Sequence, residues 1–290
     1  FVEAWGADEA RRVADGLNHP AVVDLRVNRG RLARLELSAR LVGQGVLTEP
    51  LEGLADGLAV TGGRGLFDDD GWSAADWIVQ DRTSQAVTAA LGRLLAGRVL
   101  DACSGGGVKL LGWRDLPAVR ELVAVDVQAA RLEKGRGLLE RWFQGRSGLA
   151  PVHHVAVDAS ATGFPDASFD AVVVDAPCSG TGTLRRRPEI RHRLTPQAVA
   201  DLAALQGRLL AEAARLTKPG GTLAYAVCSL LPDEGPVVVT RFLEAHAQFS
   251  AVDGVFPDAP GATANGAVTR LFDPDRPGDG FQVAVLRRAG

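Results

Sequence analysis

Three cysteines occur in the chain, Cys103, Cys178 and Cys228, and two of them lie in segments of the same design. An apolar, β-branched run from Phe169 to Asp175 leads into Ala176-Pro177-Cys178-Ser179-Gly180-Thr181-Gly182, and a second run, Thr222 to Val227, leads into Cys228-Ser229-Leu230. Each thiol is therefore expected at the carboxyl end of a strand, the two strands being neighbours. A lone buried cysteine is commonly an inert small hydrophobe. Two at matching strand ends fit a reaction that needs a nucleophile and a second thiol. Methylation of cytosine at C5 is such a reaction: C5 is a poor nucleophile until a thiolate adds at C6 to make an enamine, and that thiolate must later be eliminated. A carboxyl group near ring N3 would stabilise the protonated ring, and Asp175, three residues before Cys178, is the candidate.

A cofactor site can be read in the same way. Ligands of open α/β sheets bind beyond the carboxyl ends of the strands, on a glycine-rich first turn, with an acidic residue about 20 positions later on the ribose hydroxyls. The strand-like Arg98 to Cys103 runs into Ser104-Gly105-Gly106-Gly107, where absent side chains let a ligand approach the backbone. Asp126 closes the next strand, 19 residues after Gly107, and Asp158 closes the third, within reach of an adenine amino group. The loop lacks Gly-x-Gly-x-x-Gly and the Walker Gly-Lys-Ser/Thr, which disfavours dinucleotides and nucleoside triphosphates. Directly after the Cys178 loop, residues 185 to 193 hold five arginines in nine positions. Their guanidinium forks suit phosphate oxygens, which marks Arg185, Arg186, Arg187 and Arg191 as RNA contacts. Reaching C5 requires an unstacked base, so a loop, bulge or flipped nucleotide is expected over a regular duplex.

Positioning these groups requires a sheet. Strand-like runs at 98–103, 121–127, 152–158, 169–175 and 222–229 alternate with helical segments, the pattern of a parallel sheet covered on both faces. The clearest helix spans Thr195 to Thr217, with threonine at the N-cap, proline next, and Lys218-Pro219-Gly220-Gly221 as its stop. A last strand is expected over Phe281 to Arg287. The first 71 residues read as a smaller α+β unit: helices over Ala7 to Leu17 and Leu35 to Gly43, strands over Ala21 to Val27 and Leu58 to Thr61, and a Gly-rich acidic exit from Gly62 to Gly71. Two domains are thus expected, 1–71 and 72–290.

Composition agrees with a globular chain. With 290 residues and 46% hydrophobic content it can bury a sizeable core. No run approaches a membrane span and no signal-peptide pattern opens the chain, so a cytoplasmic monomer is expected. An odd cysteine count argues against a disulfide framework, and five scattered histidines give no zinc spacing, so no metal is expected. A net charge of -3 is unlike a general nucleic-acid binder. The balance is local: residues 1–80 hold 8 Lys/Arg against 13 Asp/Glu, and the remainder carries 24 against 22.

These motifs together resemble the Nol1/Nop2/Sun family of RNA m5C methyltransferases, most closely its bacterial ribosomal-RNA members. Trp77-Ile78-Val79-Gln80-Asp81 to Ser84-Gln85 resembles the family's Val-Gln-Asp-x-x-Ser-Gln segment, and Arg185-Arg186-Arg187-Pro188-Glu189-Ile190 its Arg-Arg-x-Pro-Asp/Glu-Ile stretch. The likeness covers roughly residues 72 to 290, and more faintly the first unit, where Arg26-Val27-Asn28 resembles the family's RRM-like module. It implies a Rossmann-like methyltransferase sheet, S-adenosylmethionine as cofactor and an RNA cytosine, ribosomal by the closest members. It also implies Cys228 as nucleophile, Cys178 as the thiol that assists release, and a cofactor cradle of Cys103, Ser104, Gly105, Gly106, Gly107, Lys109, Asp126, Asp158 and Asp175. The chain departs from the family's Asp-Ala-Cys-Ala-x-Pro-Gly-Gly-Lys-Thr at Gly106, Val108 and Leu110. A valine at 108 would be strained if φ there were positive. Val227 stands where threonine is usual, Gly235-Pro236 interrupts the usual Glu-Asn-Glu, and the histidine ahead of Asp279-Gly280-Phe281 is absent. Two other readings stay open: a DNA cytosine-C5 methyltransferase relying on Cys178 alone, and an RNA-binding relative without turnover.

Overall fold

The structure, a computed structural model, describes residues 2–257, 259 and 261–290. Its first unit comprises α1 (Val2–Trp5), α2 (Ala7–Gly16), β1 (Val23–Val27), α3 (Arg34–Gly43), β2 (Val46–Pro50), β3 (Gly57–Gly63), α4 (Asp70–Ala74) and β4 (Trp77–Val79). There follow α5 (Arg82–Gly92), β5 (Gly97–Asp101), β6 (Val119–Asp126), α6 (Ala129–Trp142), β7 (Val152–Ala156), β8 (Phe169–Asp175), α7 (Ile190–Arg193), α8 (Pro196–Leu216) and β9 (Thr217–Val227). The chain closes with α9 (Pro236–Ala245), β10 (Phe249–Ala251), β11 (Ala262–Asn265), β12 (Val268–Leu271) and β13 (Phe281–Arg288).

The small sheet has the order β2-β3-β1-β4 and is antiparallel throughout. Its core joins Leu25 and Val27 of β1 to Leu37 and Leu41 of α3 and to Trp77 of β4. The strand Trp77–Val79 thus pairs with the first unit although it lies beyond residue 71. Buried polar links tie this unit to the second. The Asp24 carboxylate, fully buried, accepts hydrogen bonds from the Arg82 backbone nitrogen and guanidinium at 2.7–2.9 Å. Asn28 Nδ2 donates to the carbonyls of Ala75 and Trp142.

The large sheet runs β11-β12-β13-β9-β8-β5-β6-β7, with β10 pairing the far end of β13 on the same edge as β12. Strands β9, β8, β5, β6 and β7 are parallel, and β13 is antiparallel to β9. In β8, successive residues alternate sides: Val173 joins the apolar layer of α5 and α6, while Val172 and Val174 join that of α8 and α9. Both faces are covered, so β8 is a continuous apolar run rather than an alternating one. Each fully buried valine there contributes roughly 1.5–3 kcal/mol relative to exposure. Helix α8 starts as expected, with Thr195 Oγ1 accepting from the Ala198 amide and proline at N1. It passes directly into β9, which begins at Thr217, ahead of the glycine pair expected to stop it. Order reverses between β5 and β8, so the loops leaving them diverge and open a crevice at their carboxyl ends. Among the described residues no helix is long and apolar enough to cross a membrane.

Candidate active site

Backbone register brings the two cysteines together. Asp175 of β8 lies opposite Ala226 of β9, and the Ala176 amide extends the pairing by donating to the Ala226 carbonyl. Beyond that point the chains stay joined, because the Gly182 amide donates to the Cys228 carbonyl and the Gly280 amide to the Gly182 carbonyl. The consequence is a Cys178–Cys228 Sγ–Sγ distance of 3.4 Å. Both thiols are half-buried, Cys178 packed against the α8–α9 layer and Cys228 against the α5–α6 layer. The hydrogen bond to Cys228, burial, and the negative charges of Cys228 and Glu234 hold the Cys178 thiol well above the ordinary thiol range.

Beside the thiols Lys109 Nζ pairs with Asp175 Oδ2 and lies 6.0 Å from the centroid of the Phe281 ring. Burial works against the ammonium, but Asp175, Asp101 and Cys228 outweigh it and raise the lysine above its usual value. Asp101, at the end of β5, is wholly buried, and burial pushes its carboxyl up to about 7 against the opposing charge of Lys109. The result is a buried cation between two carboxyl groups and a thiol, where charge interactions are stronger than in bulk water.

The glycine loop closes on Asp126. Its Oδ2 accepts from the Gly105 amide at 3.0 Å and its Oδ1 from the Gln128 amide at 2.8 Å. Positive φ falls at Gly105 (55°) and Gly107 (71°), and Val108 is not among the positive-φ residues, so valine is unstrained there. Two buried polar atoms at this turn, Asp101 Oδ1 and Ser104 Oγ, make no hydrogen bond of normal geometry among the described residues, although Ser104 lies near enough to Asp101 to lower its carboxyl in part. Unpaired buried groups of this kind fit a ligand that supplies the missing partners. Glycines open to a close approach, a carboxylate with free lone pairs at Asp126 and unspent acceptors at Asp101 together suit S-adenosylmethionine, which carries hydroxyls and a cationic methionine end. Cys103 packs with Val155 and Val157 in the α8–α9 layer, and burial raises its thiol, which marks it as a structural wall. Asp158 stands in an exposed turn two residues past β7, its Oδ1 accepting from Ser160 N and Oγ at 2.8 Å. Those bonds lower its carboxyl and keep it ionised.

The arginine run divides. Arg185 donates to the carbonyls of Gly16, Pro274, Arg276 and Gly278, and Arg186 bridges Asp81 and Asp279. Both guanidiniums bind the loop to other parts of the chain. Arg187 is half-exposed and, among the described residues, pairs with Glu189, and Arg191 reaches Asn18 at the surface. Among the described residues no cluster of three or more His, Cys, Asp or Glu side chains could hold a metal.

Sequence reasoning missed Glu234. Its carboxylate is fully buried and accepts from Ser179 N, Ser179 Oγ, Ser229 Oγ and Gln206 Nε2. Each serine follows one of the two cysteines. The only local signal was a glutamate six residues after Cys228, beside Asp233, and its partners are 5 to 55 residues away.

The chain is similar to known proteins. The chain is 34% identical over 287 residues to ribosomal RNA small subunit methyltransferase B of Xanthomonas campestris pv. campestris, spanning 98% of this chain and 64% of that protein. It is 31% identical to the probable ribosomal RNA small subunit methyltransferase B of Synechocystis sp., over 100% of this chain and 65% of that one. The chain thus spans a little under two-thirds of these relatives. In three dimensions it resembles the crystal structure of PH0851, with a TM-score of 0.87 at 27% identity over 99% of this chain and 64% of the other. It shares the fold of NSun6 from Pyrococcus horikoshii, solved with SFG, at a TM-score of 0.82 and 17% identity over 100% and 96% of the two chains. The large sheet is accordingly a Rossmann-like methyltransferase sheet. With a family model for 16S rRNA methyltransferase RsmB/F matching residues 93–287, which include both cysteine loops and the glycine turn, the chain belongs to the RsmB/F methyltransferase family.

Proposed function

We propose that this chain transfers a methyl group from S-adenosylmethionine to C5 of a cytosine in small-subunit ribosomal RNA, through a covalent bond between Cys228 and C6. The observation that carries the reading is the pair of thiols 3.4 Å apart, at the mouth of a crevice that also holds Lys109 and Asp175. Asp126 would hold the ribose hydroxyls, the Cys103 to Gly107 turn and Lys109 the methionine end, with Asp175 beside it, and Asp158 the adenine amino group. When bound, S-adenosylmethionine supplies an electrophilic methyl group. Every other part of the work falls to this chain's side chains and to the base.

Lys109 is kept as an ammonium by Asp175 and Asp101 and places a positive charge beside the thiols. The Cys228 thiolate forms a bond to C6, and the C5=C6 electron pair becomes nucleophilic at C5 while Asp175 stabilises the protonated ring at N3. Once Cys228 is a neutral thioether, the hydrogen bond and the negative charge that held the Cys178 thiol up are gone. Cys178 can then lose its proton to solvent, and the thiolate takes the proton from C5. The electron pair of that C–H bond restores C5=C6, the C6–S bond breaks, and the Cys228 thiolate returns. Arg187 and Arg191, at the surface beside the Cys178 loop, would contact phosphates of an unstacked segment.

Two variants test the assignment. Cys228→Ala abolishes transfer of a tritiated methyl group to an unmethylated 16S rRNA transcript. Cys178→Ala accumulates a protein–RNA adduct that survives denaturation and maps to Cys228. Normal turnover by Cys228→Ala with a dead Cys178→Ala would reverse the roles and favour the DNA-type arrangement.

A further inference from the structure

The mechanism asks two thiols to act on one base in succession, one bonded to C6 and the other reaching the hydrogen on C5. Their separation must therefore be fixed closely, and beyond the Gly182 amide, which donates to the Cys228 carbonyl, a second link joins the two loops. The link lies beneath them. Glu234 Oε1 accepts from the Ser179 amide at 2.8 Å and from Gln206 Nε2 at 3.1 Å, and Oε2 accepts from Ser179 Oγ at 2.5 Å and Ser229 Oγ at 2.6 Å. Thr181 Oγ1 completes the ring, 3.1 Å from Ser229 Oγ and accepting from the Leu230 amide at 3.0 Å. Gln206 also donates to the Pro177 carbonyl at 2.8 Å, which fixes the peptide on the near side of Cys178.

Glu234 has no ion-pair partner among the described residues, and its exposure is 0%. Burying an unpaired carboxylate is costly unless hydrogen bonds compensate. Here four donors do so, and all four converge from the two cysteine loops and α8. A carboxylate is the side chain suited to that task, because it accepts on both oxygens and donates on neither. Local anchoring explains its depth as well: the Tyr225 hydroxyl donates to the Glu234 carbonyl at 2.6 Å, and Gln282 Nε2 holds the carbonyls of Ser229 and Leu231. A side chain at 235 would meet Gln282 at 2.3 Å, so the glycine after Glu234 makes room for that brace.

From this geometry we infer that Glu234 is a positioning residue, a buried carboxylate clamp on Ser179 and Ser229 that sets the spacing and mutual orientation of Cys178 and Cys228. The inference rests on the two-thiol reading above. Loss of the clamp leaves Cys228 able to add to C6, while Cys178 no longer lies where the C5 hydrogen is presented. Its signature is thus a stalled adduct rather than a general loss of activity.

Two variants separate a clamp from bulk stability. Glu234→Asp keeps the charge but shortens the side chain by one methylene, so it cannot reach both serines. Ser179→Ala keeps Glu234 and cuts one strut. With the unmethylated 16S rRNA transcript and S-adenosylmethionine, both variants accumulate the Cys228-linked adduct seen with Cys178→Ala. Their kcat falls about tenfold or more while KM for RNA stays within about twofold, the pattern of an interaction used after binding. Wild-type turnover without adduct in both variants, or loss of adduct with a parallel rise in KM in both, overturns the clamp. If Cys178→Ala itself accumulates no adduct, the two-thiol reading fails and takes the clamp with it. Adduct from Cys178→Ala but from neither clamp variant removes the role of Glu234 alone.

Discussion

Gly182 offers the sharpest test of how the site is held. It lies on the turn after Cys178, and a Cβ built there would stand 2.1 Å from the Gly280 carbonyl oxygen, 2.7 Å from its carbon and 2.9 Å from the Cys228 carbonyl oxygen. These are backbone atoms, with no flexible end to swing aside. A carbon normally approaches such an oxygen to about 3.3 Å, so Gly182→Ala must displace one strand by roughly 1 Å. Overpacking of this kind costs about 1–3 kcal/mol. The shift also strains the bonds from the Gly182 amide to Cys228 and from the Gly280 amide to Gly182. At about 0.5–1.5 kcal/mol for each bond, the total is about 2–6 kcal/mol. For a chain of this size that corresponds to a fall in Tm of roughly 4–12 °C. A displacement of about 1 Å between reacting groups costs on the order of a hundredfold in rate. Turnover measured well below the variant's Tm should therefore drop by that order even where the protein is folded. Circular dichroism melting and tritium transfer to the 16S rRNA transcript read the two effects separately. A variant with an unchanged Tm and full turnover would show that the close approach of the Cys178 loop to Cys228 and Gly280 does not set the site.

Other perturbations address the frame around it. Asp24→Ala removes the buried acceptor of the Arg82 guanidinium and should destabilise the protein by about 3 kcal/mol, the lower end for a broken buried pair because Arg82 is partly exposed; urea unfolding gives the value, and a loss below about 1 kcal/mol would mean the junction is held elsewhere. Glu212 is held down to about 2 by the Arg215 hydrogen bonds, with Thr162 assisting against burial. A depressed carboxyl stabilises the fold above its unfolded value, near 4.5, and that contribution is lost as pH falls from 4.5 toward 2. Glu212→Gln should flatten the decline of unfolding free energy across that window by about 1–2 kcal/mol, discounted for the partial exposure of Arg215; identical slopes for the variant and wild type would refute the assignment.

What could be read from the residues alone follows how local each signal is. The run Phe169 to Asp175 was legible to the residue, because a strand buried on both faces announces itself as a continuous apolar stretch. Helix α8 was legible at both ends, from Thr195 and Pro196 to Thr217, but Lys218 to Gly221, read as its stop, belong to β9, which takes up pairing at Thr217. Strand β2 escaped notice because its residues are mostly exposed and only Val46 is buried, so pattern carried little information. Trp77–Val79 escaped as part of the first unit because its partner, β1, lies some fifty residues earlier. The arginines show the same limit. Arg185 and Arg187 are neighbours of one type, but carbonyls at Gly16 and at 274 to 278 capture the first, while the second stays at the surface. No local property separates them.

The thiols pose the opposite problem, since their location was legible but their division of labour was not. Both are cysteines after a strand, both half-buried, and each is followed by a serine. The difference between them lies in the charge behind each. On the Cys228 side stands Lys109, whose ammonium is favoured by the negative charge of that same thiolate. On the Cys178 side stands Glu234, a buried negative charge that, together with Cys228 itself, disfavours ionisation of the thiol. Repulsion from Glu234 and Cys228 keeps the proton on Cys178. Two chemically identical groups, 3.4 Å apart, thereby stand in different electrostatic surroundings. The proposed order of events then needs no further switch. Bond formation at Cys228 removes the hydrogen bond and one of the charges that keep Cys178 protonated, so the first chemical step favours the base required for the last.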